Sequence, residues 1–307
     1  MNSLFYDSTL TDDARRKALY DGQLFVYSPT PASRELCELA HKLSVEAFAP
    51  LDPKKAQHEL PVEKYAAILE SLKPKFIHHP RAKEIIPILL KELGCDLHRT
   101  FFDVPRLRTS TSNNYLTTGI AYAFHPHRDT WYSAPQCQLN WWIPVYNITP
   151  DNGLAFHLNY WDKPLKNSSR GYNYYRWNAE SRKNAAKHIG KDTREQPKPQ
   201  EVVQLDPQVR VIAPPGSIIV FSGAHLHSSV PNTSGYTRFS IDFRTVYLDD
   251  VRDRTGAPNL DSECTGTTMR DYLSCENLAR LPEDLVSRYD TEPPTDGVLI
   301  YEPTVKA

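Results

Sequence analysis

The sequence predicts an α+β fold, and three observations carry that prediction. Apolar residues recur at helical spacing through about the first hundred residues. From about Phe101 the pattern turns to short alternating or wholly apolar runs bounded by Gly, Pro, Asn and Asp, which read as strands. Within the strands lies a His-x-Asp, His127 and Asp129, around which the chain is organised. At 307 residues, 40% hydrophobic and 24% charged, the composition is globular. We expect a single domain: a mainly helical support over 1–100, a β core over 101–248 interrupted by an insert at 159–200, and an extension over 249–307.

Thr11-Asp12-Asp13 offers the first helix start, and Asp21-Gly22 its end. Leu24 to Tyr27 is a short strand. Thr30-Pro31 opens a second helix with proline at its first position, followed by Leu36, Leu39, Ala40 and Leu43 on one side. Pro61 opens a third helix, with Tyr65, Ile68, Leu69 and Leu72. The fourth carries Ile85, Ile86, Leu89, Leu90 and Leu93 and stops at Gly94; Pro87 predicts a kink or a later start. His78 and His79 fall in the preceding loop and read as solvated residues. These helices need an apolar surface to cover.

Leu107 to Ser112 alternates, and Tyr115 to Phe124 reads as a strand running into the His-x-Asp. Cys137 to Val145 puts Gln138, Asn140 and Trp142 on one face and Leu139, Trp141 and Ile143 on the other. Asp151-Asn152-Gly153 is a turn before the strand Leu154 to Leu158. The insert from Asn159 to Gln200 is polar and aromatic, with a short helix near Ala179 to Ile189. Segments this long are commonly lids or binding loops, and its rings equally suit packing onto the core. Val209 to Ile212 resumes the sheet. Arg238 to Arg244 alternates strictly, with Phe239, Ile241 and Phe243 on the face expected to meet the helices. The extension has a helix at Pro282 to Val286 and nothing that signals chemistry.

In an extended strand, His127 and Asp129 point to the same side, so an imidazole and a carboxylate leave the backbone together. They are two of the three ligands of a 2-His-1-carboxylate site, which holds non-haem iron and leaves positions open. Alone, the pair is weak evidence, since most such tripeptides are surface charge or a satisfied core histidine. About a hundred residues later, Pro215 to Asn232 reads as turn, apolar strand and histidine. His225 and His227 share strand parity, and both are candidates for the third ligand. Arg238 and Ser240 then share one strand face. Arginine can grip a carboxylate through two parallel hydrogen bonds, and a hydroxyl adds a third. Arg244 competes for that role from further along the same face, or pairs with Asp242. His125 faces the same side as His127.

His127-x-Asp129, His227 and Arg238-x-Ser240 together resemble the Fe(II)/2-oxoglutarate-dependent oxygenase superfamily. Pro215-Gly216 and Ser229-x-Pro231-Asn232 are similar to its phytanoyl-CoA-hydroxylase-like branch. The resemblance spans about residues 105–248. It implies a double-stranded β-helix (jelly-roll, cupin-like) core with the N-terminal helices on its major sheet. It implies Fe(II) on His127, Asp129 and His227, with His227 favoured over His225 by the spacing to Asn232 and Arg238. It implies 2-oxoglutarate with its far carboxylate on Arg238 and Ser240, and O2 as the oxidant. Gln138 and Asn140 would line the cosubstrate side of the cavity, and Arg244, His125 and Trp142 the substrate side. A carboxylate at Asp129 fills the position that related halogenases leave to chloride, which favours hydroxylation or related C–H activation. The expected substrate is a small polar or carboxylate-bearing metabolite, amino-acid-derived compounds included.

A net charge of −1 with no basic stripe argues against nucleic acid as a partner. No apolar run is long enough to span a membrane. The first residues lack a basic region followed by an apolar core, and five scattered cysteines form no disulfide framework, so a cytoplasmic chain with reduced thiols is expected. Two other classes stay open. One is a cupin-like metal protein, an isomerase or hydrolase without 2-oxoglutarate, against which Arg238-x-Ser240 speaks. The other is a non-catalytic binding protein, against which the intact ligand set speaks.

Overall fold

The protein is described by a computed structural model covering residues 3–121 and 125–290. Tyr122 to Phe124, the end of the expected run into the His-x-Asp, and residues 291–307 of the extension lie outside the described residues.

Local signals set the helices. Strand β1 (Leu4–Tyr6) pairs in parallel with β2 (Leu24–Tyr27). Helix α1 (Asp12–Tyr20) begins where Thr11 accepts from the Ala14 amide. Helix α2 (Pro31–Phe48) starts with a reciprocal cap: Thr30 Oγ1 accepts from Ser33 N at 3.1 Å, and Ser33 Oγ from Thr30 N at 2.9 Å. Helix α3 spans Val62–Ile77 and α4 spans Pro80–Glu92. Pro87 does not delay α4, which starts seven residues earlier with Pro80 at its first position. There the His79 ring accepts from the Arg81 amide at 3.2 Å, so His79 is a cap and not a solvated loop residue.

The remaining strands are β3 (Thr100–Phe102), β4 (Arg106–Ser110), β5 (Leu139–Pro144), β6 (Leu154–Phe156), β7 (Val209–Val211), β8 (Ile218–Ser222), β9 (His227–Ser229), β10 (Arg238–Tyr247) and β11 (Leu273–Ser274). They form an eight-stranded sheet in the order β1-β2-β8-β5-β10-β3-β11, with β4 also on β10, and a three-stranded sheet β7-β6-β9. Strand β10 is long enough to pair with β5 along one edge and with β4 and then β3 along the other. The stretch 115–121 is not a strand. It is turns and a 3-10 turn at Gly119–Ala121, with Asn113 and Asn114 at positive φ.

The period-2 alternation of the large sheet separates two cores. Leu139, Trp141, Ile143, Phe239, Ile241 and Phe243 face the helices and pack with Leu36, Phe48, Leu69 and Leu89. The opposite face supplies Val26, Trp142, Ile219 and Phe221, which pack with Leu154, Phe156 and Val211 of the small sheet. The polar members of this second face, on β4, β5 and β10, are what the fold presents to the cavity beside that core. No helix of the described residues is long and apolar enough to cross a membrane.

Candidate metal centre and its cavity

His127, Asp129 and His227 each offer one ligand atom, all within 4.8 Å of one another. They do not meet through a strand carrying both His127 and Asp129. His127 makes an isolated bridge to His227, N–H to carbonyl at 3.0 Å in both directions. Asp129 opens a 3-10 turn, Asp129–Tyr132, with its amide donating to the Gly223 carbonyl at 2.8 Å. The apolar strand before the third histidine ends at Ser222. The chain turns through Gly223 to His225, and His227 begins β9 in the other sheet.

Each imidazole is held in one tautomer. His127 Nδ1 donates to the His125 carbonyl at 2.8 Å, and His227 Nδ1 to the His225 carbonyl at 2.9 Å. A carbonyl only accepts, so Nδ1 carries the proton and the Nε2 lone pair faces inward. Those Nε2 atoms stand 3.4 Å (His127) and 3.9 Å (His227) from Asp129 Oδ1. Ligands about 2.0–2.2 Å from one ion lie at about such separations. Burial, with the His127 ring beside it, pulls His227 down to about 4 against the opposing pull of Asp129, so its ring is neutral at physiological pH. Burial works against the Asp129 charge, but the Arg244 guanidinium beside it helps hold its carboxyl well below the usual range.

The second oxygen of Asp129 is occupied. Gln138 Nε2 donates to Asp129 Oδ2 at 3.1 Å and to Asn140 Oδ1 at 2.9 Å, and Tyr272 donates to Gln138 Oε1 at 2.8 Å. Arg244 Nε stands 3.9 Å from the same oxygen, and its other nitrogens reach Asp103 at 3.3 Å and Asp242 at 3.2 Å. Gln138 and Asn140 therefore line the cavity, as expected, but the Gln138 amide is committed to Asp129. His225 does not share a face with His227. Its Nε2 donates to the Gly22 carbonyl at 3.0 Å, and its ring lies 4.5 Å from Trp161. The His125 ring meets the Pro197 carbonyl of the insert at 2.7 Å.

Arg238 is buried at 5% exposure, one face-step from Ser240 on β10 and opposite Ser110 of β4. Its Nη1 donates to the carbonyls of Asn152 at 3.0 Å and Gly153 at 3.2 Å, and its guanidinium lies over the Trp142 ring at 5.6 Å. Among the described residues its Nε, Ser240 Oγ and Ser110 Oγ have no hydrogen-bond partner. Buried polar atoms are rarely left so, and each costs about 1–3 kcal/mol. Burial brings the guanidinium down to about 10, with Asp242 opposing. Three adjacent unsatisfied groups, one of them cationic, fit an anion with several acceptor oxygens.

Triad and arginine line one cavity of about 740 Å³. The insert closes one side with Tyr172, Tyr174, Trp177 and Arg182, and α3 with the His78 that follows it closes another, through Lys73, Ile77 and His78. Sequence reasoning missed Tyr272, Arg182 and Lys73. Tyr272 comes from an extension that carried no local sign of chemistry, yet its hydroxyl orients the amide that orients Asp129.

No protein-family model matches the chain, and no curated protein does. Solved structures similar to it include ThoJ, a non-heme monooxygenase, in its apo form (16% identity, 85% of both chains, TM-score 0.38). AviO1 from Streptomyces viridochromogenes Tue57 is 14% identical over 82% of this chain and 99% of its own, with TM-score 0.38. SnoN, a non-heme alpha-ketoglutarate-dependent epimerase from nogalamycin biosynthesis, is 13% identical over 83% and 97%, with TM-score 0.36. Likenesses this loose carry no chemistry to this chain.

Proposed function

We propose that the chain is an Fe(II)- and 2-oxoglutarate-dependent oxygenase acting on a C–H bond of a small polar or carboxylate-bearing metabolite. The whole chain would be one oxygenase domain with a double-stranded β-helix core, in the phytanoyl-CoA-hydroxylase-like branch. The observation that carries this reading is the buried Arg238, which lines the same cavity as His127, Asp129 and His227 and whose Nε, like the neighbouring Ser240 Oγ and Ser110 Oγ, has no hydrogen-bond partner among the described residues. A metal-only isomerase or hydrolase has no use for that anchor. Asn232, which prompted the branch assignment, has a structural role. Its amide donates to the Ser110 and Tyr236 carbonyls, both at 2.8 Å, and so fixes the turn that delivers Arg238.

His127, Asp129 and His227 would hold the iron on one side, as a facial triad does. Arg238, Ser240 and Ser110 would take the far carboxylate of 2-oxoglutarate. Iron and 2-oxoglutarate together supply oxygen activation for C–H oxidation, with succinate and CO2 as coproducts. The chain's own work is positioning and exclusion of water. Gln138 keeps Asp129 Oδ2 occupied and turns Oδ1 toward the histidines. Phe221 and Phe156 shield the His227 ring at 4.9 and 6.4 Å between centroids.

Anaerobic titration of the protein with Fe(II) and then 2-oxoglutarate tests this. A visible charge-transfer band from the keto acid on iron is expected. Arg238→Gln should weaken 2-oxoglutarate binding by about 1.5–3 kcal/mol, the scale of a charged hydrogen bond. No band in the wild type, or equal affinity in the variant, overturns the reading.

A further inference from the structure

The cavity wall toward α3 and the insert is cationic, and its charges are unevenly matched. Arg108 Nε bonds Asp242 at 2.6 Å, and Arg106 pairs with Asp103. Arg244 is shared among Asp103, Asp129 and Asp242. Two further cations of the wall, Lys73 of α3 and Arg182 of the insert, have no carboxylate within 4.0 Å among the described residues. Among the described residues Lys73 donates to the Ile120 carbonyl, and Arg182 makes a long contact, 3.5 Å, to Asn178 Oδ1. The two elements touch, since α3 packs on the turn Arg182–Lys187.

Both side chains are held where a charge is unfavourable. Burial and then the Arg108 charge press Lys73 down to about 7, with Asp242 opposing. Burial lowers Arg182 as well; Arg106 and Arg108 push the same way, against Tyr174 and Asp271. Asp271 acts on Arg182 only from beyond ion-pair distance; its Oδ2 accepts from Tyr174, and burial raises its own pKa. Cations held partly out of water without a direct ion-pair partner cost free energy that an incoming anion recovers. The Arg238 anchor is a different place, framed by Asn152, Gly153 and Trp142. Occupation of that anchor by the cosubstrate would leave the Lys73–Arg182 charges as they are.

We propose that Lys73 and Arg182 bind an anionic group of the substrate, a carboxylate or a phosphate, and so orient its reacting carbon toward the triad. Calling the ligand a substrate rests on the oxygenase reading; the anion site itself does not. The test is calorimetric titration of anaerobic protein loaded with Fe(II) and 2-oxoglutarate, using inorganic phosphate and propionate as probes at constant ionic strength. Saturable binding of at least one probe is expected, and the stronger probe tells which anion the site takes. Lys73→Gln and Arg182→Gln should each weaken it about tenfold or more. Arg176→Gln, which removes an exposed cation of the same insert, should leave it unchanged. Circular dichroism checks that every variant is folded. Absence of probe binding in the wild type, or equal weakening in Arg176→Gln, overturns the proposal. If 2-oxoglutarate fails to bind while phosphate binding still depends on Arg182, the oxygenase reading falls and the anion site stands; the converse result removes the anion site alone.

Discussion

His225 and His227 are two residues apart, yet the structure gives them unlike roles. Only the backbone carbonyl of His225 serves the centre, through His227 Nδ1; its ring is turned to Gly22 and Trp161. His127→Ala, Asp129→Ala and His227→Ala should therefore each lose metal. His225→Ala should keep it and lower only the melting temperature. Metal content after loading decides the matter, and loss of metal in His225→Ala would show the assignment reversed. Tyr272 acts one contact further out. Tyr272→Phe keeps the ring but leaves Gln138 Oε1 without its donor, so the amide is free to turn away from Asp129. Groups that orient a metal ligand are typically worth about 10–100-fold in affinity, and a drop on that scale in a metal titration is expected. Unchanged affinity would show that Asn140 suffices to hold the amide. The meeting of His127, Asp129 and His227 was legible because their pattern is ordered along the chain. Gln138 was legible as a cavity residue but not in its role, since its partner Tyr272 lies 134 positions away.

Elements whose signals are local came out as read: Thr11, Thr30 and Pro61 mark helix starts, and the alternation of β10 separates the helix face from the cavity face. The insert was harder, because aromatic composition fits a mobile lid and a packed wall alike. The rings decide for the wall. Tyr172, Tyr174 and Tyr175 are only 6%, 8% and 4% exposed. Tyr174 donates to Asp271, Tyr175 donates to Asp290 at 2.6 Å, and the Thr265 amide donates to the Tyr172 carbonyl at 2.9 Å. The insert is thus fastened to the C-terminal extension, a partner that its own sequence could not reveal. Residues 172–187 should resist protease even without ligands. The first cuts should fall in the stretch 201–208, where Val202 is 93% exposed. Limited proteolysis with mass spectrometry reads this out; first cleavage inside 172–178 that vanishes on ligand binding would restore a moving lid.

At the scale of the molecule, the candidate centre is where distant parts of the chain meet. His127 and Asp129 lie in a bridging loop, Gln138 leads into β5, His227 opens β9 of the small sheet, Arg238 opens β10 of the large one, and Tyr272 comes from the extension. Arg128, between the two ligand residues, shows how tightly these parts are tied. Its guanidinium reaches the carbonyls of Ala224, Tyr160 and Lys163 and the carboxylate of Asp261. An unfolded chain cannot reproduce such a site, so metal and cosubstrate should bind the folded state alone and stabilise it by mass action. At a hundredfold excess over Kd that is about 2.7 kcal/mol per ligand. For a chain of this size the melting temperature should rise by several degrees, about 2 °C per kcal/mol. Two-sheet assembly also fixes how the increments divide. Fe(II) alone should raise the melting temperature of wild type and Arg238→Gln alike, because the triad is intact in both. The further rise on adding 2-oxoglutarate should be large in the wild type and small in the variant. Thermal denaturation followed under anaerobic conditions gives all four values. An equal second rise in both proteins would mean that the far carboxylate is held elsewhere, and Arg244 would then be the residue to substitute next.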